Sequence, residues 1–308
     1  MSALASPPPS LSGSLPALVT ALTPQREVAT EDVTTLVRRA LDDGASGVLV
    51  AGTTGEGALL EPEQRTHLVE HARRALDDPG RMQAGRRPLL VAGACAPTVD
   101  GLHADVARLS AAGADLLLVM APATYPLRSD ELVELHLDVA EAAATPTVVY
   151  HIPQITNAVL EPDAVPTLAA HERIVGMKDS SPDTARRAAF IAAAAGNEFD
   201  VVTGHAPSLK SALEAGAVGS ILAVANVRQR QVVALHQAVA HADEPRAEEL
   251  QQRLATTSDG LAKVGTSMPA ALKAALQLEG VITERWCRPP LGSVPPERLD
   301  LVRTALLS

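Results

Sequence analysis

Residues 173–181 read RIVGMKDSS, a short apolar run that ends in a lysine. The apolar part, 174–177, is typical of a buried strand. The change to polar residues at Lys178 is typical of a strand that ends at a functional surface. Of the 26 lysines and arginines only four are lysines, and Lys178 alone follows such a run. A neutral lysine amine is a nucleophile, whereas arginine stays charged. This stretch alone equally allows a structural lysine paired with Asp179.

Outward from this stretch, strand-like apolar runs alternate with helical patterns in both directions. Predicted strands cover residues 15–22, 47–51, 88–92, 115–120, 147–150, 174–178, 199–203 and 218–224. Strict alternation predicts parallel βα units, and eight of them in about 230 residues favour a (β/α)8 TIM barrel over an open doubly wound sheet. We therefore expect a disordered leader (1–14), the barrel (15–243) and a C-terminal helical extension (244–308).

The composition restricts the core and the partners. The chain is 46% hydrophobic but only 2% aromatic, so the core must consist of Ala, Val, Leu and Ile. A net charge of −10 argues against a nucleic-acid or membrane-surface role. The sequence has no run of about 18 apolar residues, so we expect no membrane span. Two cysteines, Cys95 and Cys287, suggest no disulfide framework and favour a cytoplasmic location, with Cys95 as a small core residue.

Several polar or small residues fall at the predicted strand ends. Thr53 and Thr54 follow the second strand, Tyr150 ends the fifth, Lys178 ends the sixth and Gly204 follows the seventh. In TIM barrels the catalytic groups lie at the C-terminal ends of the strands. The sequence therefore predicts one active site at which these five residues converge.

A lysine beside a tyrosine at a barrel mouth suggests Schiff-base chemistry. The amine of Lys178 would attack the ketone of a 2-oxo acid, and the resulting iminium would act as an electron sink. The intermediate carbinolamine must lose water, and Tyr150 can donate and accept the protons. Thr53 and Thr54, with backbone N–H groups of the glycine-rich turn, can bind the substrate carboxylate.

Three motifs now indicate a family. The segments GTTGE (52–56), YHIP (150–153) and GMKDS (176–180) resemble those of the dihydrodipicolinate synthase/N-acetylneuraminate lyase family of class I aldolases. The 28-residue separation of the tyrosine and the lysine also matches, as do Gly204 and Ile221. The resemblance extends over residues 15–308.

The resemblance implies a barrel with a helical C-terminal region that binds pyruvate covalently, without a metal or cofactor. By that resemblance Lys178 forms the Schiff base, Tyr150 is the proton shuttle, and Thr54 extends the proton relay. Gly204 and Ile221 would contact the substrate. The implied assembly is a homotetramer or a homodimer.

The branch of the family depends on Ile155. Dihydrodipicolinate synthases usually have an arginine there, two residues after the proline of the Tyr-x-x-Pro motif, which binds the carboxylate of the semialdehyde substrate. Isoleucine cannot form that charge-assisted pair. Segments 174–180, 223–227 and 287–291 look instead like 4-hydroxy-2-oxoglutarate and 2-keto-3-deoxy sugar-acid aldolases. We therefore predict formation or cleavage of a 4-hydroxy-2-oxo acid from pyruvate and an aldehyde. The alternatives are dihydrodipicolinate synthase, a deoxy-keto sugar-acid dehydratase and a non-catalytic keto-acid sensor.

One tyrosine and four histidines are further candidates for functional residues. Family members often have a Tyr-Tyr pair whose second tyrosine enters the neighbouring subunit's site. Here either Tyr125 is that tyrosine, displaced by one residue, or Thr124 replaces it. His151 and His205 flank the predicted site. Each is expected to be a loop histidine with satisfied hydrogen bonds, and the alternative is contact with hydroxyl groups of the substrate. His67 and His71 match a zinc signature, H-x-x-E-H, which we interpret as a solvated outer helix face.

Overall fold

The computed structural model describes residues 9–78 and 87–307, and in this part of the chain eight parallel strands form one sheet in the order β1-β8-β7-β6-β5-β4-β3-β2. The strands are β1 (Gly13–Pro16), β2 (Gly47–Val50), β3 (Leu89–Ala94), β4 (Leu116–Met120), β5 (Thr147–His151), β6 (Ile174–Asp179), β7 (Asp200–Thr203) and β8 (Gly219–Leu222). Between β1 and β2, Ser46 N donates to Ser14 O (3.0 Å) and Leu18 N donates to Leu49 O (2.9 Å). These bonds close the sheet, and the predicted (β/α)8 barrel is confirmed.

Helices follow the strands and cover the outside of the barrel. The helices are α1 (Thr30–Asp42), α2 (Pro62–Leu76), α3 (Val99–Ala111), α4 (Ser129–Ala142), α5 (Pro153–Thr156), α6 (Val165–Ala169), α7 (Thr184–Ala194), α8 (Leu209–Glu214), α9 (Ala225–Ala240), α10 (Glu244–Ala262), α11 (Met268–Leu278) and α12 (Leu299–Leu307). Since α10 to α12 lie beyond the barrel, the three predicted C-terminal helices are present. None of the described helices is both long and apolar enough to cross a membrane.

Two apolar clusters explain why the strands are apolar on both faces. One fills the barrel interior and includes alternate residues of β5, Val148 and Tyr150, with Ile152 just beyond them. The other lies between the strands and the outer helices and includes Val149. Burial on both faces is the property that makes parallel strands read as continuous apolar runs.

The N-terminal boundary differs from the prediction. β1 begins at Gly13, inside the segment assigned to the leader, and Leu11 is fully buried at the start of the interior cluster. Asp200 accepts hydrogen bonds from Leu11 N (2.7 Å) and Ser10 Oγ (2.8 Å). Residues 1–8 of the predicted leader lie outside the described residues. The division between barrel and extension at residue 243 stays a prediction.

The predicted first strand, 15–22, extends too far along the chain. Residues 17–22 form two isolated bridges instead of a continuous strand, Ala17 with Leu49 and Leu22 with Val28. Residues 17–22 are nevertheless all buried. A short apolar run records burial and does not distinguish a strand from a buried loop.

A β-bulge sets the direction of the side chains on β6. Thr147 pairs with Ile174, but Val148 pairs with Gly176, so Val175 is an extra residue on β6. Bulges turn the side chains that follow them, often beside active sites. As a result Lys178 is the residue opposite Tyr150, and Asp179 is opposite His151.

Candidate active site

Tyr150 and Lys178 lie side by side at the C-terminal ends of β5 and β6. Both are buried, and Lys178 Nζ is 4.4 Å from the centroid of the Tyr150 ring. The contact follows directly from the register in which the two residues are paired. A nucleophilic amine and a phenolic hydroxyl are therefore close enough to act on the same substrate carbonyl.

Of the two threonines, Thr53 is the one that reaches the tyrosine. Its Oγ1 lies 3.4 Å from the Tyr150 hydroxyl. The Thr54 hydroxyl has no hydrogen-bond partner among the residues that the structure describes. The role of Thr54 in the relay stays a prediction, and Thr53 is the threonine that lies beside Tyr150. Both residues precede Gly55 in one tight turn, which keeps their backbone N–H groups near the barrel mouth.

Glu56 links this turn to the C-terminal extension through buried contacts. It adopts a left-handed backbone conformation (φ +58°), which is uncommon for a residue with a side chain. Its fully buried carboxylate contacts Lys273 Nζ on α11 and accepts a hydrogen bond from Arg288 N (2.6 Å). Lys273 also donates to Trp286 O (2.7 Å). The C-terminal extension thereby fixes the turn that carries Thr53.

Replacing Lys273 with methionine should destabilise the protein by about 3–5 kcal/mol, the usual cost of leaving one buried charge without its partner. The matched control is Lys263→Met, because Lys263 is exposed at the end of α10 and its loss should cost less than about 1 kcal/mol. Urea unfolding followed by far-ultraviolet circular dichroism measures both values. Equal midpoints for the two variants would contradict the role given to the Glu56–Lys273 pair.

Gly204 leaves room for the lysine. A Cβ atom at this position would lie 2.7 Å from Lys178 Cε and 2.0 Å from Ser180 Oγ. Gly204 N also donates to Asp179 O (2.7 Å), so the backbone after β7 runs close beside β6. Ile221 lies on β8 in the same interior cluster as Tyr150. Gly204 thus lies against Lys178, and Ile221 belongs to the apolar interior that also contains Tyr150.

A buried ionic network lies on the other face of β5 and β6. Asp179 accepts hydrogen bonds from His151 Nδ1 (2.7 Å) and from Arg187 Nε on α7 (2.8 Å). Burial alone would raise the pKa of Asp179, but the hydrogen bond from His151 and the charge of Arg187 together lower it. The ionised carboxylate ties β5, β6 and α7 together directly behind the Tyr150–Lys178 pair.

The two histidine candidates belong to this network. His151 lies within β5, and its Nε2 has no hydrogen-bond partner among the described residues, so the expectation of a satisfied loop histidine is wrong. His205 Nδ1 lies 2.8 Å from Ser208 Oγ, which accepts from Arg187 (2.7 Å). Burial and the charge of Arg187 lower the pKa of His205, which favours its neutral form.

Tyr125 is separate from the other candidates in this chain. It lies in the loop after β4, and its side chain is 75% exposed. Ile155, in contrast, is 39% exposed and lines a cavity of about 170 Å³ together with Tyr150 and Thr53. The structure therefore brings Ile155 to the site and leaves Tyr125 at the surface.

Two residues contribute to the site although their roles were not predicted from the sequence. Cys95 follows β3 and lines the cavity, although it was expected only as a core residue. Lys273 is completely buried in the apolar helix α11. The available signal was a lysine in the middle of the apolar run AALKAAL (270–276). Lysines are almost never fully buried unless they are paired, so this lysine called for a buried partner.

Metal ligation finds no support in the part of the chain that the structure describes. No group of three or more His, Cys, Asp or Glu side chains there could hold a metal ion. Within the H-x-x-E-H segment, His71 Nδ1 lies 2.7 Å from the backbone carbonyl of His67 on the exposed side of α2.

Comparisons with known proteins agree over nearly the whole chain. The sequence model of the dihydrodipicolinate synthetase family matches residues 10–307. An uncharacterized DapA-like lyase of Halobacterium salinarum is 33% identical over 89% of this chain and 86% of its own length. A 4-hydroxy-tetrahydrodipicolinate synthase of Hyphomonas neptunium is 33% identical, with 79% and 80% covered. The solved structure of a dihydrodipicolinate synthase from Acinetobacter baumannii, complexed with pyruvate, has a TM-score of 0.88 at 26% identity, with 97% and 98% covered.

Proposed function

Because the chain belongs to the dihydrodipicolinate synthetase family, whose members are pyruvate-dependent class I lyases and aldolases, we propose that it cleaves or forms a 4-hydroxy-2-oxo acid. Family membership confirms the predicted resemblance and the prediction of an enzyme. The family uses pyruvate through a lysine Schiff base and without a metal or cofactor. We further propose the residues that act and the reaction, in which pyruvate and an aldehyde are the products of cleavage and the substrates of condensation.

The observation that carries the proposal is the contact between Lys178 and Tyr150. In the condensation direction the neutral amine of Lys178 attacks C2 of pyruvate and gives a carbinolamine. Tyr150 delivers a proton to the departing hydroxyl, and water leaves as the iminium forms. Loss of a proton from C3 then gives an enamine. We propose that Thr53, whose Oγ1 is 3.4 Å from the Tyr150 hydroxyl, passes these protons on.

The carbon–carbon bond forms in the next step. The enamine C3 attacks the aldehyde carbon, and the aldehyde oxygen takes up a proton and becomes the 4-hydroxyl group. Water then adds to the iminium, so that the 4-hydroxy-2-oxo acid leaves and the amine of Lys178 is regenerated. Cleavage follows the same steps in reverse. We assign the binding of the pyruvate carboxylate to the remaining backbone N–H groups of the turn at 52–57.

Ile155 favours this reaction over dihydrodipicolinate synthesis. It lies at the rim of the cavity beside Tyr150, where the family's synthases usually have an arginine for the semialdehyde carboxylate. A carboxylate at this position would find no charge-assisted partner. The names of the relatives alone would favour the synthase, so the two reactions must be compared directly.

The test combines trapping with turnover. Borohydride reduction in the presence of pyruvate should leave a reduced pyruvyl adduct on the Lys178 peptide, identified by mass spectrometry. A panel of 4-hydroxy-2-oxo acids should release pyruvate, followed with lactate dehydrogenase and NADH. An adduct together with fast condensation of aspartate semialdehyde and no cleavage of the panel would instead identify a synthase. Loss of water from a deoxy-keto sugar acid without carbon–carbon cleavage would identify a dehydratase.

We also propose a homotetramer or homodimer located in the cytoplasm. The family resemblance supports the assembly, and the exposed Tyr125 offers a side chain that a second subunit could cover. Cys95 and Cys287 are both buried free thiols, which suits a reducing compartment. Sedimentation velocity of the purified protein distinguishes monomer, dimer and tetramer.

A further inference from the structure

The cavity beside Tyr150 is bounded mainly by apolar side chains. Leu118 and Met120, two residues apart on β4, form one wall, and Leu59 and Leu291 form another. Ile155 lies at the rim. Among the described residues that line the cavity, none is a lysine or an arginine.

The two titratable residues of the cavity besides Tyr150 do not make it polar. Burial raises the pKa of the Cys95 thiol, so this side chain is uncharged at neutral pH and behaves as a small hydrophobe. The carboxylate of Glu56 is already engaged by Lys273 and by Arg288 N. Neither residue offers a free charge to a substrate.

Hydrogen bonds to backbone carbonyls fix the apolar walls in place. Ile155 is part of the short helix α5, where Ile155 N donates to Ile152 O (2.9 Å) and Gln154 Nε2 donates to Ser180 O (2.9 Å). On the opposite side Arg288 Nε donates to Leu59 O (3.1 Å), and Leu291 N donates to Arg288 O (2.9 Å). The cavity is thus shaped by segments that are bound to β6 and to the C-terminal extension.

From this geometry we infer that the aldehyde substrate carries an apolar substituent, aliphatic or aromatic, on its carbonyl carbon. The inference rests on the proposed function, since it concerns the aldehyde that the pyruvate enamine attacks. With the aldehyde carbon at C3 of the enamine, beside Lys178 and Tyr150, the substituent extends between Leu118, Met120 and Ile155. The cavity volume of about 170 Å³ is roughly ten times what one water molecule needs, so a substituent of several carbons fits.

The same walls disfavour other aldehydes. A carboxylate such as that of glyoxylate would lose its hydration without gaining a cation. The hydroxyl groups of a sugar aldehyde would replace their bonds to water with contacts to methyl and methylene groups. The cavity therefore favours an apolar substituent in two ways. Its walls contact apolar groups, and they offer no partners to charged or hydroxylated groups.

A homologous series of aldehydes tests the inference with the wild-type enzyme and pyruvate. We expect kcat/KM to rise about fourfold for each methylene group from propanal to hexanal, the gain from burying one such group. It should level off at octanal, when the cavity is full. Glyoxylate and glyceraldehyde should each react at least about tenfold more slowly than hexanal.

Variants at Ile155 and Ala58 make the test specific. Ile155→Arg should lower kcat/KM for hexanal and raise it for glyoxylate by about tenfold or more, because it supplies the missing cation. Ile155→Leu, which keeps the volume and the apolar character, is the matched control and should keep the wild-type preference. Ala58→Leu, at an exposed lining position, should reduce the ratio of hexanal to propanal, whereas Ala58→Ser should not.

Borohydride trapping with pyruvate distinguishes a failure of the proposed function from a failure of the inference about the aldehyde. No adduct on Lys178 in the folded protein would overturn the proposed function itself. An adduct together with a preference for glyoxylate or glyceraldehyde, or with a flat response to chain length, would overturn the inference alone. An adduct without reaction with any aldehyde would overturn the proposed aldol reaction as well.

Discussion

Replacing Lys178 with alanine is expected to lower kcat for cleavage of a 4-hydroxy-2-oxo acid by about 10⁵-fold, the scale of loss when a covalent nucleophile is removed. The reason is that no iminium can form, so the carbanion at C3 has no electron sink. Borohydride trapping with pyruvate should give no adduct on this variant. The protein should still fold, because Lys178 makes its contacts at the barrel mouth and not in the outer core.

Two further variants test whether Lys178 acts as a nucleophile or only through its positive charge. Lys178→Arg keeps a positive charge but cannot form a Schiff base, so it should be as inactive as Lys178→Ala. Lys263→Ala removes an exposed lysine and should retain full activity. A borohydride adduct that persists in Lys178→Ala would show that another lysine carries the chemistry, and the proposed site would then be wrong.

The Tyr150–Lys178 pair could be predicted from the sequence because it depends on a rule of the fold. Parallel strands end at the same edge of a barrel, so residues that end the fifth and sixth strands must be near each other. The bulge at Val175 could not be predicted, since it is a property of how β6 pairs with β5. A shift of one residue in register turns the other set of side chains into the barrel.

Contacts between segments that are far apart in the chain could not be predicted from the sequence either. Thr53 and Thr54 are neighbours of the same type, and only the turn geometry places Thr53 beside Tyr150. Glu56 and Lys273 are far apart in the chain, and nothing local shows that they meet. His151 was assigned to a loop because the fifth strand was ended one residue early, whereas it lies in β5 and binds Asp179.

Replacing Tyr150 with phenylalanine should lower kcat by about 10²–10⁴-fold, the range for loss of a general acid–base group. The ring that contacts Lys178 remains, so pyruvate binding and the fold should be preserved. What is lost is the hydroxyl that protonates the leaving group of the carbinolamine. Iminium formation, followed after rapid mixing with pyruvate and quenching with borohydride, should therefore be slow in this variant, while its final extent stays high.

The threonines and the second tyrosine supply the matched controls. Thr53→Val should slow the same step by about tenfold or more, because it removes the group 3.4 Å from the phenol, whereas Thr54→Val should affect it less. Tyr125→Phe removes the only other tyrosine hydroxyl from an exposed position. If Tyr125→Phe slowed iminium formation as much as Tyr150→Phe, the relay would have to pass through a tyrosine outside the cavity described here. If Tyr150→Phe kept more than about a tenth of the wild-type rate, Tyr150 would serve to position Lys178 and another group would move the proton.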